Sequence, residues 1–296
     1  MDTKDILREA SRYLEETPGH VFDVITVSKP NSVEEAINLS KIISKLSPLV
    51  GNQIEFRTVE MLNAQDAFKS YGHWVRQDPN FPDTIFAGKI RPTPGFEIKA
   101  WFPLATEITA RFKDSQNRFR DDATYVCVLA WLPENLIFGR PNIVGAVVVS
   151  GASVAKARDE HYHNPPDYLV LEPEETGART RNLQQTNTNG YKWQDTPHRF
   201  ARAKQIVDSW GPHGKRYRPT RTYQARLRTD LMAAFRYRLD TNYAKLDRIV
   251  HPEIEAFKSR VLTLEVHGKS VQEWARLLGG DDEMQMSAAL KKQVGF

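Results

Sequence analysis

Two acids and one lysine stand close together between residues 82 and 101, with a spacing that suits hydrolytic chemistry. Asp83 precedes the β-prone residues 84–87, and a connector rich in Gly and Pro leads to Phe96-Glu97-Ile98-Lys99-Ala100-Trp101. Because strand side chains alternate between faces, Glu97 and Lys99 project together, and Asp83 must come from a neighbouring strand. Two carboxylates held close bind a hard divalent cation such as Mg²⁺, and an ammonium beside them can orient or deprotonate a water. The spacing therefore predicts a site for phosphodiester hydrolysis.

The same residues have a second interpretation, in which they form ordinary ion pairs on an exposed strand face. A pattern of Asp followed by Glu-x-Lys is short and occurs by chance in many chains of this length. Glu55 is a third candidate acid, because it sits among apolar neighbours near the start of a predicted helix at residues 50–71. The choice between the two interpretations depends on the rest of the chain.

Periodicity along the chain predicts an α/β fold with a central mixed β-sheet flanked by helices. Apolar residues at helical spacing indicate a first helix from residue 5 to 16. A second helix begins at a capping box formed by Ser32 and Glu35 and is expected to end at Ser47-Pro48. Runs of β-prone residues indicate strands, and the run 125–131 is apolar enough to be buried on both faces. The predicted strands are residues 21–27, 84–87, 96–101, 125–131, 143–149 and 168–171, with a crossover helix at about 150–160.

The chain divides by composition near residues 175–195. Residues 1–175 carry the N-terminal helices and the α/β core, and residues 176–296 form a polar loop followed by a mainly helical extension that we expect to be continuous with the core. Helices are predicted there at about 197–209, 220–238, 250–262 and 271–278.

Composition limits the class of protein. No apolar run reaches the roughly 18 residues needed to span a membrane. The first residues are charged and lack the apolar centre of a signal peptide, so we expect a cytoplasmic protein. The single cysteine, Cys127, excludes an intrachain disulfide and indicates a buried thiol. His161 and His163 have a spacing that can ligate zinc, but a turn or surface role is the simpler interpretation.

Positive charge is concentrated in residues 199–248, which hold thirteen Lys and Arg against four Asp, whereas the whole chain carries only +4. This asymmetry indicates a surface for a polyanion. The outer face of this stretch is predicted to contact phosphates, and the polar loop before it has side chains suited to reading bases or, equally, to solvation. The candidate phosphate contacts include Arg216, Arg218 and Arg221, and the candidate base contacts are Arg179, Arg181, Asn182, Gln184, Gln185, Asn187 and Asn189.

A resemblance to a known family adds to these inferences. Pro82-Asp83 followed by Glu97-Ile98-Lys99 resembles the PD-(D/E)xK nuclease superfamily, and the larger arrangement is similar to that of a type II restriction endonuclease. The helix with Gly51-x-x-x-Glu55 resembles that family as well. The resemblance covers roughly residues 50–171 and leaves the C-terminal half unmatched.

The resemblance implies a magnesium-dependent, sequence-specific endonuclease with Asp83 and Glu97 as Mg²⁺ ligands and Lys99 beside the attacking water. It further implies a supporting metal role for Glu55 and a homodimer that cuts both strands of a palindrome. Two alternatives stay open at this point: a structure-specific or repair nuclease of the same fold, and a non-enzymatic DNA-binding protein.

Overall fold

The computed structural model of the chain describes residues 1–77, 80–106, 108, 119, 121–162, 197–212, 221–226, 229–231, 250–280 and 282–295. The chain forms two compact units. One consists of Met1–Ile108, Phe119–Val154 and His251–Phe296, and the other of Thr109–Arg118 and Ala155–Val250. Asp83, Glu97, Lys99 and Glu55 all belong to the first unit, whereas the expected boundary near 175–195 lies outside the described residues.

A five-stranded mixed sheet forms the centre of the first unit. Its strands are β1 (Gly72–Arg76), β2 (Thr84–Gly88), β3 (Gly95–Trp101), β4 (Thr124–Pro133) and β5 (Pro141–Ser150), which lie in the order β1-β2-β3-β4-β5. Strands β3 and β4 pair in parallel, and the other neighbours pair antiparallel. The α/β class and the mixed sheet predicted from the sequence are confirmed.

Strand β4 is buried on both faces, as its continuous apolar sequence predicts. Val126, Val128 and Ala130 point to one side and Cys127 and Leu129 to the other, and all five side chains are fully buried. Burial also raises the pKa of the Cys127 thiol above its usual range, which makes it a structural group.

Helices cover the sheet because each has one apolar face. Helix α1 (Thr3–Glu15) begins with a capping box between Asp2 and Asp5, and α2 (Val33–Asn63) begins where the Ser32 hydroxyl accepts a hydrogen bond from the Glu35 amide at 3.1 Å. A short helix, α3 (Asp66–Lys69), leads into β1.

The prediction that Pro48 ends a helix was wrong. Helix α2 continues through Pro48 and ends at Asn63, so that the first predicted helix and most of the second, expected at 50–71, are one helix of 31 residues, and the separate helix α3 follows it. The buried stripe of α2 runs on past the proline, from Ile43 through Ser47 to Val50 and Ile54. Burial of this stripe outweighs the single backbone hydrogen bond that the proline removes.

The remaining helices follow the sheet in sequence. Helix α4 (Gly151–Tyr162) begins directly after β5, and α5 (Pro197–Ser209) and α6 (Arg221–Arg226) belong to the second unit. Helix α7 (Pro252–Thr263) packs on β5, where Gly145 leaves room for the side chains of Phe257 and Val261. A two-stranded hairpin, β6 (Glu265–Val266) with β7 (Lys269–Ser270), precedes α8 (Val271–Leu278), and α9 (Glu283–Val294), which the sequence did not predict, packs on α2.

Two other predicted elements differ from the structure or cannot be compared with it. Residues 21–27 were expected to form a strand, but only Val21 and Val27 make isolated bridges, to Asn142 in β5 and to Gly139 just before it. The strand expected at residues 168–171 lies outside the described residues.

Candidate active site

Asp83 and Glu97 come together because β2 and β3 are neighbouring antiparallel strands. Thr84 pairs with Phe96 at the start of β2, and Asp83 immediately precedes that pair while Glu97 immediately follows it. The Ile98 amide donates a hydrogen bond to Asp83 Oδ2 at 2.7 Å, which fixes the Asp83 carboxylate against β3. The strand pair predicted from the sequence is therefore present, and it juxtaposes the two acids.

Lys99 joins the two carboxylates. Its Nζ lies 2.7 Å from Glu97 Oε1 and 3.3 Å from Asp83 Oδ2, so a single ammonium group separates the acids. The side chains are partly enclosed: 9% of Glu97, 21% of Lys99 and 26% of Asp83 are exposed. This arrangement differs from the exposed ion-paired strand face that was the alternative interpretation, because surface pairs are solvated and these are mostly not.

Glu55 reaches the same region from α2. Its Oε2 lies 3.9 Å from a guanidinium nitrogen of Arg76 at the end of β1, and the Glu55 side chain is 19% exposed. The charges of Asp83, Glu97 and Lys99 all act on Glu55. With every group ionised, three carboxylates face two cations, which leaves the cluster net negative.

Burial and neighbouring charges shift the pKa values of Glu97 and Lys99 in this cluster. Burial raises the pKa of Glu97, with a further contribution from the negative charge of Asp83, although Lys99 acts in the opposite direction. Burial by itself would lower the pKa of Lys99, but the carboxylates of Glu97 and Asp83 outweigh it and the pKa is raised. Lys99 is therefore an ammonium at neutral pH, and its direct chemistry is that of a hydrogen-bond donor and positive charge.

Glu55 titrates close to neutrality. Burial, followed by the negative charge of Asp83, raises the pKa of Glu55 from 4.5 to about 7. An acid of this kind holds its proton to higher pH in the folded protein than in the unfolded chain, so folding stability is lost as the pH rises between these two values. The expected loss is at most about 3 kcal/mol, since each pKa unit corresponds to about 1.4 kcal/mol.

Replacing Glu55 by Gln tests this linkage. We expect Glu55→Gln to become more stable relative to the wild type as the pH rises from 5 to 8 in EDTA, because Gln has no proton to lose. Urea unfolding at both pH values measures the effect. Glu60→Gln serves as the control, because Glu60 lies on the same helix and its side chain is 48% exposed. This variant should leave the pH dependence of folding stability unchanged. If the stabilities of wild type and Glu55→Gln changed in parallel with pH, the raised pKa of Glu55 would be contradicted.

Gly95 permits the close approach of β2 and β3 at the site. A Cβ at this position would lie 2.7 Å from Pro82 Cγ and 3.0 Å from the Thr84 carbonyl oxygen, on either side of Asp83. We expect Gly95→Ala to cost roughly 1–3 kcal/mol of stability and to displace Asp83. In the control Gly51→Ala, the new Cβ would lie 3.5 Å from Ala100 Cβ, an ordinary van der Waals distance. Gly51 lies within α2, where Ala is favoured over Gly, so the stability of this variant should hold or rise. Thermal unfolding compares the two, and equal midpoints would contradict the prediction.

The residues fit a divalent cation in one specific respect. Glu97 Oε2 is buried and has no hydrogen-bond partner among the described residues, although an uncompensated buried carboxylate oxygen is costly. A cation held by Asp83 and Glu97 would satisfy it. In the described ranges no group of three or more His, Cys, Asp or Glu is arranged to hold a metal ion.

The predicted DNA contacts fall largely where the structure gives no description. The loop residues Arg179 to Asn189, and Arg216 and Arg218, lie outside the described residues. Arg221 is exposed at the start of α6. Exposed basic side chains are present on α5 and α6, and they are Arg202, Lys204, Arg221 and Arg226. His161 lies in α4, but its side chain and the whole of His163 are outside the description.

Sequence reasoning missed the contribution of β1. Arg76 pairs with Thr84 across β1 and β2 and brings a cation to Glu55. The neighbouring Gln77 donates its side-chain amide to the Pro82 carbonyl at 3.1 Å and its backbone amide to the Asp83 carbonyl at 2.8 Å. The adjacent β-prone residues Trp74 and Val75 were the available signal, but the strand has only five residues.

No helix in the described ranges combines the length and apolarity needed to cross a membrane. Comparisons with models of protein families, with characterised proteins and with solved structures find no match for this chain.

Proposed function

We propose that this protein is a magnesium-dependent endonuclease that hydrolyses phosphodiester bonds in double-stranded DNA at specific sequences. One observation supports this most: Asp83 and Glu97, from adjacent antiparallel strands, lie on either side of the Lys99 ammonium in a partly buried and net negative cluster. Ionisable groups whose pKa values are shifted by burial and by a specific charged partner cluster at functional sites, and Glu97 and Lys99 are groups of this kind. The resemblance of Pro82-Asp83 and Glu97-x-Lys99 to PD-(D/E)xK nucleases points to the same activity.

Asp83 and Glu97 would hold the magnesium ion. A bound Mg²⁺ polarises a phosphoryl oxygen and makes a water more acidic. The residues of the chain provide its ligands at fixed positions, because the Ile98 amide holds Asp83 and the strand backbone holds Glu97. Preorganised groups need no rearrangement when charge develops during the reaction.

Lys99 would act on the phosphate and the attacking water. Its ammonium can donate to a non-bridging phosphate oxygen and offset the negative charge that accumulates there. The neighbouring carboxylates that raise its pKa keep it charged, so Lys99 orients the water rather than removing its proton as long as both acids are ionised. Glu55 would tune the charge of the site through its proximity to Arg76.

Duplex DNA is the proposed substrate because of the charge pattern. The catalytic cluster is acidic, so attraction for a polyanion must come from elsewhere on the protein. Residues 199–248 supply a net excess of positive charge, and the described part of this stretch presents exposed Arg and Lys on α5 and α6. The polar loop at 179–189 is proposed to read the bases of the target sequence.

Two alternative functions share part of this basis. A structure-specific or repair nuclease would use the same acids and lysine but would read DNA shape. A non-enzymatic DNA-binding protein would use only the basic residues, and the Asp83, Glu97 and Lys99 cluster would be structural. The base-reading composition of residues 179–189 favours the sequence-specific enzyme.

Plasmid digestion distinguishes the three functions. Purified protein is incubated with a long linear plasmid in Mg²⁺, and the ends of any products are sequenced. Discrete fragments whose newly cut ends all share one sequence are the expected result. A smear of fragments, or cutting confined to branched or damaged substrates, would favour the shape-reading nuclease, and intact plasmid with retained binding would favour the binding protein.

A further inference from the structure

Asp83 follows two residues that are packed in place, Phe81 and Pro82. Pro82 lies against β3, where a Cβ on Gly95 would come within 2.7 Å of Pro82 Cγ. The Phe81 ring meets the Phe119 ring edge to face, with centroids 5.5 Å apart and planes at 85°. An aromatic pair of this geometry contributes beyond the area that it buries. Phe119 precedes the start of β4, so its ring contacts the segment that carries Asp83 from outside the sheet.

Phe119 is itself fixed by its surroundings. Its side chain is 2% exposed and lies so close to the Gly151 backbone, at the start of α4, that a Cβ on Gly151 would overlap the ring. The backbone after Phe119 turns back on itself, and the Asp122 amide donates to the Phe119 carbonyl at 3.0 Å. Asp122 accepts from the Ser150 hydroxyl at 2.7 Å and pairs with Lys4. A close-packed ring held in this way cannot shift unless its neighbours also move.

The Asp83 carboxylate depends on support of this kind because the strand ladder ends beside it. Thr84 and Phe96 form the last pair between β2 and β3. Beyond that pair, the Ile98 amide donates to Asp83 Oδ2 at 2.7 Å. The Asp83 side chain therefore takes the place of a strand partner for Ile98, and a displaced Asp83 would leave this amide without its acceptor.

We propose that Phe119 is a positioning residue for Asp83. Its ring, locked against Gly151, holds Phe81 and so fixes where the Asp83 carboxylate meets β3. The role rests on the proposed function for its effect on cleavage, since Asp83 is there a ligand of the metal. A misplacement of about 1 Å in a catalytic site can slow a reaction by about a hundredfold, so a packing residue outside the sheet can set the rate.

A double-mutant cycle on Phe119 and Phe81 tests the contact through cleavage. We expect Phe119→Leu to slow cleavage by about tenfold to a hundredfold and to raise the Mg²⁺ concentration that gives half the maximal rate, while DNA binding in Ca²⁺ stays within about twofold of wild type. Phe81→Leu should act in the same direction. The double variant should be little worse than either single variant, because both changes break one contact. Multiplied effects, or a wild-type Mg²⁺ dependence in Phe119→Leu, would overturn the proposal.

Amide hydrogen exchange of the full-length protein in EDTA tests the positioning without any cleavage. Phe119→Leu should speed exchange at Ile98 at least about tenfold more than at the amides of β4, because Ile98 loses its acceptor while β4 keeps its ladders on both sides. Phe22→Leu is the matched control. Phe22 is 3% exposed and packs edge to face on His20, with ring centroids 4.6 Å apart. Its loss should speed Ile98 and β4 alike and leave the Mg²⁺ dependence of cleavage unchanged.

The two measurements separate this proposal from the proposed function. If the wild type cuts no DNA in Mg²⁺, the nuclease assignment is wrong, and exchange at Ile98 still decides whether Phe119 holds Asp83. Phe81 is only half-buried, so Phe81→Leu provides the same exchange test if Phe119→Leu does not fold. Equal acceleration of Ile98 and β4 in these variants would show that the ring pair only stabilises the fold, and it would overturn the proposal.

Discussion

Asp83→Asn should reduce DNA cleavage in Mg²⁺ by at least about a thousandfold, because the substitution removes a charge that the metal requires. Asn keeps a side-chain oxygen that can accept the hydrogen bond from the Ile98 amide, now 2.7 Å from Asp83 Oδ2. The strand pair should therefore persist. Binding to duplex DNA, measured by mobility shift in Ca²⁺, should stay within a few-fold of wild type because the basic residues are untouched.

Asp66→Asn is the matched control for Asp83→Asn. The Asp66 side chain is 89% exposed and forms an ion pair with Lys69 on the protein surface, so the same chemical change there should leave cleavage unaltered. If Asp83→Asn cut DNA at the wild-type rate, the cluster would be structural and the proposed site wrong.

Lys99→Met should slow cleavage by about a hundredfold to ten-thousandfold, the range expected for a group that positions or stabilises the reacting atoms. Met has a similar length but no charge, so Asp83 and Glu97 lose the ammonium that lies 3.3 and 2.7 Å from them. Their affinity for a cation should therefore hold or rise. The cleavage rate measured as a function of Mg²⁺ concentration separates the slower reaction from the change in cation affinity.

A structural role for Lys99 gives a different result in the same titration. If Lys99 only neutralises the two acids, high Mg²⁺ should restore the Lys99→Met rate to that of wild type, and this outcome would contradict the catalytic role. Lys69→Met, at a lysine whose side chain is 66% exposed, controls for the loss of a positive charge.

The sequence predicts the parts of this fold that follow local rules. Alternation in Phe96 to Trp101 and the continuous apolar run at Tyr125 to Trp131 gave β3 and β4, because side-chain direction in a strand depends only on local geometry. The end of the helix at Pro48 was predicted wrongly, since the local cost of proline is outweighed by packing that the local sequence does not specify.

The members of the candidate site could be proposed from the sequence, whereas their geometry could not. Asp83, Glu97 and Lys99 could be chosen because their types and spacing suit metal-assisted chemistry. That one lysine lies between the two acids, and that Arg76 pairs with Glu55, depends on the antiparallel register of β1, β2 and β3, which the sequence leaves open. The pKa of Glu55 likewise follows from burial by distant parts of the chain.

Cleavage of one linear plasmid under three conditions tests the central claim most directly: wild type in Mg²⁺, wild type in EDTA, and Asp83→Asn in Mg²⁺. We predict cut DNA in the first condition alone. Cleavage in EDTA, or cleavage by Asp83→Asn equal to that of wild type, would contradict a magnesium-dependent centre at Asp83, Glu97 and Lys99.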